Sequence, residues 1–296
     1  MEEVAPIHQP VLLAEVCALL PHRGVIVDGT LGFAGHAAAL LTLAEQEGEQ
    51  LRLIGIDQDT DALAAARERL RPWPEVSLVH ANFSSMEEVV RAESIGGVDG
   101  VLLDIGVSSY QLDTPERGFS FISDGPLDMR MDQDEPRTAA EIVNRCSERE
   151  IADLIYRYGE ERLSRRIARG IVERRRSQPF TRTTELAEAI AQWVPRQGRI
   201  HPATRTFQAL RIAVNGELEV LEEGIAQSLR ILKPKGVMCI ISFHSLEDRI
   251  VKHRFRAASE TGEYTLLTRK PVVASQTEAR ENPRSRSAKL RAITRV

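Results

Sequence analysis

The chain has 296 residues, of which 42% are hydrophobic, 28% charged and 5% aromatic. An apolar fraction of this size is enough for a sizeable core and excludes a disordered or fibrous chain. No apolar run approaches the roughly 18 residues that a membrane span needs, and the first residues carry acids where a secretory signal would be basic. We therefore predict a globular, cytoplasmic protein with no membrane partner.

The cysteines and histidines indicate no cross-link. Cys17, Cys146 and Cys239 lie far apart in the sequence, and the 7 histidines form no cluster at metal-ligand spacing. Neither a disulfide framework nor a metal site is expected.

Charge is distributed unevenly along the chain, whose formal net charge is -4. Residues 145–211 are rich in arginine and carry +7, residues 269–296 carry +6, and the remainder carries -17. Two basic segments beside an acidic body are typical of a polyanion-binding protein whose catalytic body is not itself basic. Solvated helix faces would give the same totals, so charge alone leaves both interpretations open.

The first part of the chain alternates between strand-like and helix-like segments. Four aliphatic runs are separated by segments with alanine and leucine at helical spacing, and three of the runs end in aspartate. This alternation predicts a doubly wound α/β sheet, in which ligands bind beyond the carboxyl ends of the strands. The predicted strands are Gly24–Asp28, Leu51–Asp57, 76–80 and Val98–Asp104.

The pattern changes after Asp104. Residues 106–136 are rich in Gly, Ser, Asp and Pro, and residues 147–192 have the spacing of amphipathic, arginine-rich helices. A strand-like apolar run returns at 237–243. We predict a discontinuous α/β domain with an inserted helical subdomain for substrate recognition, the first comprising residues 1–107 and 212–296 and the second residues 108–211.

A glycine-containing turn joins the first predicted strand to its helix. Its sequence, DGTLGFAGH from Asp28 to His36, lets a ligand approach the backbone at a helix N-terminus. Asp57 ends the second predicted strand, where its carboxylate can accept hydrogen bonds from both ribose hydroxyls. Turn and acid together predict a nucleoside-containing cofactor. Asp59 is the competing ribose acceptor, although a turn or a helix cap suits it better.

Aromatic and polar residues follow the third and fourth predicted strands. Phe83 can cover an adenine ring, or it can be an ordinary buried ring. Asp104 opens the segment DIGVSSYQLD, and its carboxylate can accept hydrogen bonds from an amino group or cap a helix. The same segment contains Ser108, Ser109 and Gln111.

Several long blocks of the sequence resemble one family. They include DGTLGFAGH, LLDIGVSSYQLD, GPLDMRMD, HPATRTFQALRIAVN and SFHSLEDRIVK, and with shorter blocks they span nearly the whole chain. The ordered set resembles the bacterial small-subunit ribosomal RNA cytosine-N4 methyltransferases, the RsmH or MraW family. The resemblance implies a Rossmann-like class I fold, S-adenosyl-L-methionine as cofactor, and methylation of the exocyclic N4 of one cytosine in the decoding centre of 16S rRNA.

The resemblance and the chemistry of amino-group methylation assign roles to residues. Asp104 is the first candidate acceptor for the amino group of the base, and Ser108 and Ser109 are the second candidates. His244 is either a substrate contact or a structural histidine. Cofactor contacts are implied for Ala34, Gly35, His36, Asp57, Phe83, Asp104 and Gln111. Contacts with RNA are implied for Arg174, Arg175, Arg176, Arg205, Arg211, Arg284 and Arg286.

Two other functions share parts of this pattern. A nucleotide-dependent oxidoreductase would share the turn and Asp57, but it needs the spacing GxGxxG and gives no reason for two arginine-rich segments. A noncatalytic RNA-binding factor of ribosome assembly could retain a cofactor fold, although the intact Asp28, Asp57 and Asp104 argue against it. The sequence leaves open whether free 16S rRNA or the small ribosomal subunit is the substrate, and whether the protein is a monomer or a homodimer.

Overall fold

The computed structural model describes residues 10–196, 198 and 200–296. The described chain divides into two compact units. The first contains the residues up to Gly106 and those of Leu218–Val296, and the second is Val107–Glu217. None of the helices in these described parts is long and apolar enough to cross a membrane.

The first unit begins with alternating helices and strands. Three of the four predicted strands have the predicted bounds, and the third begins one residue later. The apolar runs of the second and fourth strands are buried, as is typical of parallel strands covered on both faces, whereas the third strand is only half-buried. In chain order the elements are α1 (Leu13–Leu19), β1 (Gly24–Asp28), α2 (Gly35–Glu47), β2 (Leu51–Asp57), α3 (Thr60–Arg69), β3 (Ser77–His80), α4 (Met86–Ala92) and β4 (Val98–Asp104).

The second unit is helical and has its own hydrophobic core. Its helices are α5 (Ser109–Asp113), α6 (Ala139–Arg145), α7 (Glu148–Gly159), α8 (Ser164–Arg174), α9 (Thr183–Trp193) and α10 (Thr204–Asn215). The last helix ends where Gly216 adopts a left-handed conformation, with φ of 59°. The domain boundary drawn from the sequence after Arg211 therefore falls inside α10.

The chain then returns to the first unit. Its remaining elements are α11 (Glu217–Ile231), β5 (Leu232–Ser242), α12 (Ser245–Glu260), β6 (Tyr264–Leu266), β7 (Val272–Val273), α13 (Gln276–Glu281) and β8 (Lys289–Arg295). The strand β5 begins earlier than the sequence predicts. Leu232 already pairs with Val98, and the register shifts before Gly100 pairs with Val237.

The sheet has the strand order β3-β2-β1-β4-β5-β8-β6, and β7 pairs with β8. Neighbours among β1 to β5 are parallel, whereas β8 is antiparallel to β5 and β6. The sheet is open and mostly parallel, so the predicted Rossmann-like α/β fold is confirmed. The strand order reverses between β1 and β4, and such a switch point opens a crevice at the carboxyl edge of the sheet. Asp57, Asp28 and Asp104 end the three neighbouring strands at this edge.

Candidate active site

The turn between β1 and α2 is tightly held at the carboxyl edge of the sheet. Asp28 is buried, and its Oδ1 accepts a hydrogen bond of 3.2 Å from the amide of Thr30. Ala34 is buried at the N-cap of α2 in a left-handed conformation, with φ of 56°. A side chain on Gly35 would meet Pro10, since an added Cβ would lie 2.4 Å from its ring. The predicted cofactor residues Ala34 and Gly35 therefore sit where only a small residue fits.

Asp57 lies beside this turn and helps to fix it. Its Oδ2 accepts a hydrogen bond of 2.7 Å from the amide of Gly32, and its Oδ1 accepts one of 2.9 Å from the amide of Asp59. Asp59 is the N-cap of α3, where its Oδ1 accepts from the amide of Asp61 at 3.1 Å. The competing acid is thus a buried helix cap, and Asp57 is the one that borders the turn.

Asp104 has an unusual environment at the end of β4. Its backbone amide donates a hydrogen bond of 2.6 Å to Oγ1 of Thr30. Its Oδ2 lies 3.8 Å from Nδ1 of His36, whose Nε2 is 2.9 Å from the carbonyl oxygen of Val11. Its Oδ1 is buried and has no hydrogen-bond partner among the described residues. A buried acceptor in this state is costly for a ligand-free protein and is suited to a donor from a ligand.

The buried aspartates at the carboxyl edge of the sheet have raised pKa values. Burial raises the pKa of Asp28 to about 7 and that of Asp57 to about 6. Burial, together with the charges of Asp28 and Glu247, raises the pKa of Asp104 to about 8. Carboxyl groups that repel one another in this way favour a ligand that brings positive charge or hydrogen-bond donors, and such shifts are concentrated at functional sites.

Glu247 and Thr30 were not among the residues singled out from the sequence. The side chain of Glu247 is buried, and its Oε2 accepts hydrogen bonds from the amides of Phe243 at 2.8 Å and His244 at 3.1 Å. His244 is the N-cap of α12, and its Nδ1 accepts a hydrogen bond from the amide of Glu247. The structural role considered for His244 is therefore present in the fold. An acid three residues after a cap was the available signal for Glu247.

Phe83 follows β3 at the start of a short 3-10 helix, Phe83–Ser85. Its ring packs against Gly224 of α11, where an added Cβ would lie 2.4 Å from the ring. The preceding Asn82 caps this turn through the amide of Ser84 at 3.0 Å. Phe83 remains partly exposed, so the part of its side chain that is not packed can contact a bound ring.

The segment from Ser108 to Gln111 belongs to the second unit. Ser108 is the N-cap of α5, and its Oγ accepts a hydrogen bond of 3.1 Å from the amide of Gln111. The amide of Ser108 donates in turn to Oε1 of Gln111 at 3.0 Å. Ser109 differs, because its hydroxyl is buried without a hydrogen-bond partner among the described residues. Of the two serines considered for catalysis, Ser108 is occupied by a capping box and Ser109 is not.

The structure gives different surroundings to the five predicted RNA-binding arginines of the second unit. Arg174 bonds to the carbonyl oxygen of Gln178 and stacks over Phe180, and Arg175 donates to the carbonyl oxygen of Val143 at 2.6 Å. The side chain of Arg176 is exposed. Arg205 donates a hydrogen bond to the carbonyl oxygen of Glu160. Arg211 forms an ion pair with Glu217 through two hydrogen bonds. Arg174, Arg175 and Arg211 thus have clear structural contacts.

The arginines predicted near the C-terminus lie on a short 3-10 helix, Pro283–Ser287, in the first unit. Arg286 is exposed, and its Nε donates to the carbonyl oxygen of Ala279 at 3.0 Å. Arg284 is half-buried beside it. Of these two arginines, Arg286 has the guanidinium that is accessible from solvent.

Comparison with known proteins places these features in a family. The chain matches the model described as the MraW methylase family over residues 5–296. A protein from Geobacter sulfurreducens named ribosomal RNA small subunit methyltransferase H is 50% identical and covers 98% of this chain and 99% of its own. One of the same name from Synechocystis is 54% identical and covers 90% and 86%. A crystal structure of an rRNA methylase from Streptococcus thermophilus has a TM-score of 0.44 at 10% identity, with 99% of each chain covered.

The family match extends over nearly the whole described chain, and the relatives are about half identical over almost their full length. The chain therefore belongs to the MraW methylase family.

Proposed function

We propose that this protein methylates the exocyclic N4 of a cytosine in the decoding centre of small-subunit rRNA, in the cytoplasm. The family is one of methylases, and the named relatives are ribosomal RNA small subunit methyltransferases. The observation that carries the proposal is the buried Oδ1 of Asp104 without a partner among the described residues. An amino group is a hydrogen-bond donor of the kind that this oxygen lacks.

The cofactor of a class I methylase is S-adenosyl-L-methionine, and the residues of the first unit fit it. The Asp57 carboxylate accepts backbone hydrogen bonds from Gly32, Asp59 and Gln58, and it is proposed to accept the ribose hydroxyls as well. Ala34, Gly35 and His36 begin α2 beside Asp57, where the first amides of the helix have no helical acceptor. The acids at this edge of the sheet suit the positive charge of the cofactor. Phe83 would lie beside the adenine.

When bound, the cofactor supplies an electrophilic methyl group on a sulfonium. Asp104 accepts a hydrogen bond from the N4 amino group, because no described residue donates to its Oδ1. This bond opposes delocalisation of the N4 lone pair into the ring and orients that lone pair towards the methyl group. A carboxylate with a pKa raised to about 8 is also a suitable base for the N4 proton near neutral pH. The target base must leave its stack to reach this position.

The decisive experiment is methyl transfer from labelled S-adenosyl-L-methionine to small ribosomal subunits and to free 16S rRNA, both from cells that lack the enzyme. Nucleoside mass spectrometry then identifies the product. We expect N4-methylcytidine at one site. Cofactor binding without transfer to either substrate would contradict the proposal and favour the noncatalytic assembly factor, and a different methylated nucleoside would contradict the assignment to N4.

The second unit is proposed to bind RNA through its exposed arginines, and neighbouring residues allow a matched test. We expect Arg176→Gln to reduce the slope of log Kd against log salt by about 0.7, because one phosphate contact on a single strand is lost. The melting temperature of the Arg176→Gln variant should equal that of wild type, since the Arg176 side chain is exposed. Arg175→Gln should instead lower the free energy of unfolding by about 1–2 kcal/mol, because the Val143 carbonyl loses a charged donor.

Salt titrations of RNA binding and thermal unfolding measure both effects. Equal salt slopes for wild type and Arg176→Gln would show that Arg176 is a solvated residue. An unchanged melting temperature in Arg175→Gln would show that the bond to Val143 contributes nothing to stability.

A further inference from the structure

The hydroxyl group of Thr30 completes the sheet at the point where β1 ends. Successive backbone amides at the end of β4 point alternately to its two neighbours, and the amide of Ile105 donates to the carbonyl oxygen of Ile241 in β5 at 3.0 Å. The amide of Asp104 therefore faces β1, whose last residue is Asp28. The chain leaves the sheet after that residue, and Oγ1 of Thr30 accepts the hydrogen bond from the Asp104 amide at 2.6 Å.

The same threonine belongs to the turn that is proposed to hold the cofactor. The amide of Thr30 donates to Oδ1 of Asp28, at the end of β1, at 3.2 Å. The amide of Gly32 donates to Oδ2 of Asp57, at the end of β2, at 2.7 Å. These bonds fix the turn to the β1 and β2 side of the switch point. The bond between Asp104 and Thr30 joins the turn to β4, on the other side.

This bond lies between the anchors of the two groups that must meet in the reaction. In the proposed function, the turn and Asp57 hold the cofactor, and Asp104 orients the amino group of the base. Methyl transfer needs the amino nitrogen in line with the methyl group, and a misplacement of about 1 Å can cost about 10²-fold in rate. Thr30 belongs to one anchor and bonds to the other, so its hydroxyl is placed to set their spacing.

We propose that Thr30 is a positioning residue, whose hydroxyl fixes the distance between the cofactor turn and the Asp104 carboxyl group. The proposal rests on the proposed function for the roles of these two elements. Thr30 acts through Asp104 and need not touch the substrate. Without the hydroxyl, the Asp104 amide loses its acceptor, and the end of β4 shifts relative to the turn. Cofactor and RNA still bind, but fewer of the complexes have the aligned geometry.

The test uses two variants at Thr30 and a matched control. Thr30→Val removes the hydroxyl and keeps the shape of the side chain, whereas Thr30→Ser keeps the acceptor and should restore the rate. The control is Thr268→Val. Thr268 is also half-buried, and its Oγ1 accepts a hydrogen bond of 2.9 Å from a strand amide, that of Ala292 in β8. The strand β5 separates β8 from β4, so the control bond lies away from Asp104.

For each full-length variant, kcat and KM are measured for methyl transfer to small-subunit rRNA, beside S-adenosylhomocysteine affinity and melting temperature. For Thr30→Val we expect kcat to fall about 10–100-fold, while KM for the RNA and the affinity for S-adenosylhomocysteine change less than about threefold. Thr30→Ser and Thr268→Val should keep the wild-type kcat. Thr30→Val and Thr268→Val should lower the melting temperature equally, by about 2–4 °C, since each leaves a strand amide without its acceptor.

Three outcomes would overturn the proposal. The first is a wild-type kcat in Thr30→Val. The second is an equal loss of kcat in Thr268→Val, because the loss would then follow from lower stability alone. The third is a loss of S-adenosylhomocysteine affinity in Thr30→Val as large as the loss of kcat, because Thr30 would then serve cofactor binding. If Thr30→Val does not fold, Thr30→Ala, which also lacks the hydroxyl, takes its place with the same expectations.

The same experiment separates this proposal from the proposed function. Wild-type protein that forms N4-methylcytidine while Thr30→Val keeps the wild-type kcat would leave the function intact and refute the role of Thr30. Wild-type protein that binds S-adenosylhomocysteine but does not methylate rRNA would refute both.

Discussion

Asp104→Asn is expected to abolish methyl transfer while making the ligand-free protein more stable at pH 8. Transfer at saturating cofactor should fall about 10²–10³-fold, because the amide cannot supply the negative charge that the N4 amino group needs in the transition state. The opposite effects on activity and stability arise from one feature. The carboxyl group is buried, its Oδ1 has no partner among the described residues, and Asp28 and Glu247 repel its charge.

The stability effect depends on pH in a defined direction. Because the pKa of Asp104 is raised to about 8 in the folded protein, the folded state holds a proton that the unfolded state releases near its ordinary pKa. The contribution of this group therefore falls as the pH rises from about 4 to 8. At pH 8 we expect Asp104→Asn to gain roughly 5 kcal/mol over wild type, at about 1.4 kcal/mol per unit of the pKa difference, and the gain should disappear towards pH 4.

Thermal unfolding at a series of pH values measures this effect, and Asp113→Asn, outside the sheet edge, is the control. The control should show neither the gain nor its pH dependence. A stability difference that does not change between pH 5 and pH 8 would contradict the raised pKa. Wild-type rates of transfer in Asp104→Asn would remove Asp104 from the mechanism.

Asp57→Ala is expected to lose at least about 100-fold in affinity for S-adenosylhomocysteine. The carboxylate is proposed to accept both ribose hydroxyls, and hydrogen bonds to a charged group are each worth about 1.5–3 kcal/mol. The substitution also removes the acceptor for the amide of Gly32, so that the turn beside the cofactor loses an anchor. Both effects lower the affinity for S-adenosylhomocysteine, which calorimetry measures.

Asp59→Ala is the matched control for this prediction. Asp59 caps α3 through the amide of Asp61, so its loss should cost about 1 kcal/mol of stability. Cofactor affinity should change little. Unchanged affinity in Asp57→Ala together with a large loss in Asp59→Ala would exchange the roles of the two acids.

The strands and their acidic ends could be predicted from the sequence because both are local features. A parallel strand covered on two faces needs a continuous apolar run, and such runs end in aspartate at Asp28, Asp57 and Asp104. The glycine-containing turn is equally local, since it follows the first strand directly in the sequence. The α/β fold and the edge of the sheet where a ligand should bind follow from these patterns.

The sequence could not show which polar groups satisfy one another. Ser108 and Gln111 are both plausible site residues in the sequence, yet in the fold they hold each other in a capping box. Arg174 and Arg175 read as members of a basic run, and the fold gives them contacts with Phe180 and Val143. These pairings depend on helix geometry and on residues distant in the chain, which no local pattern contains.

The sequence alone determined the alternating strands, the class of cofactor and the presence of arginine-rich segments, because hydrophobic periodicity and residue spacing encode them. Only the tertiary structure decided that Asp104 is buried with an oxygen that no described residue contacts by a hydrogen bond, and that Glu247 comes near enough to raise the pKa of Asp104. It also decided that Asp248 is neutralised by Arg291 and Lys289. Burial and charge coupling are properties of groups brought together by folding, and they set the chemistry of the site.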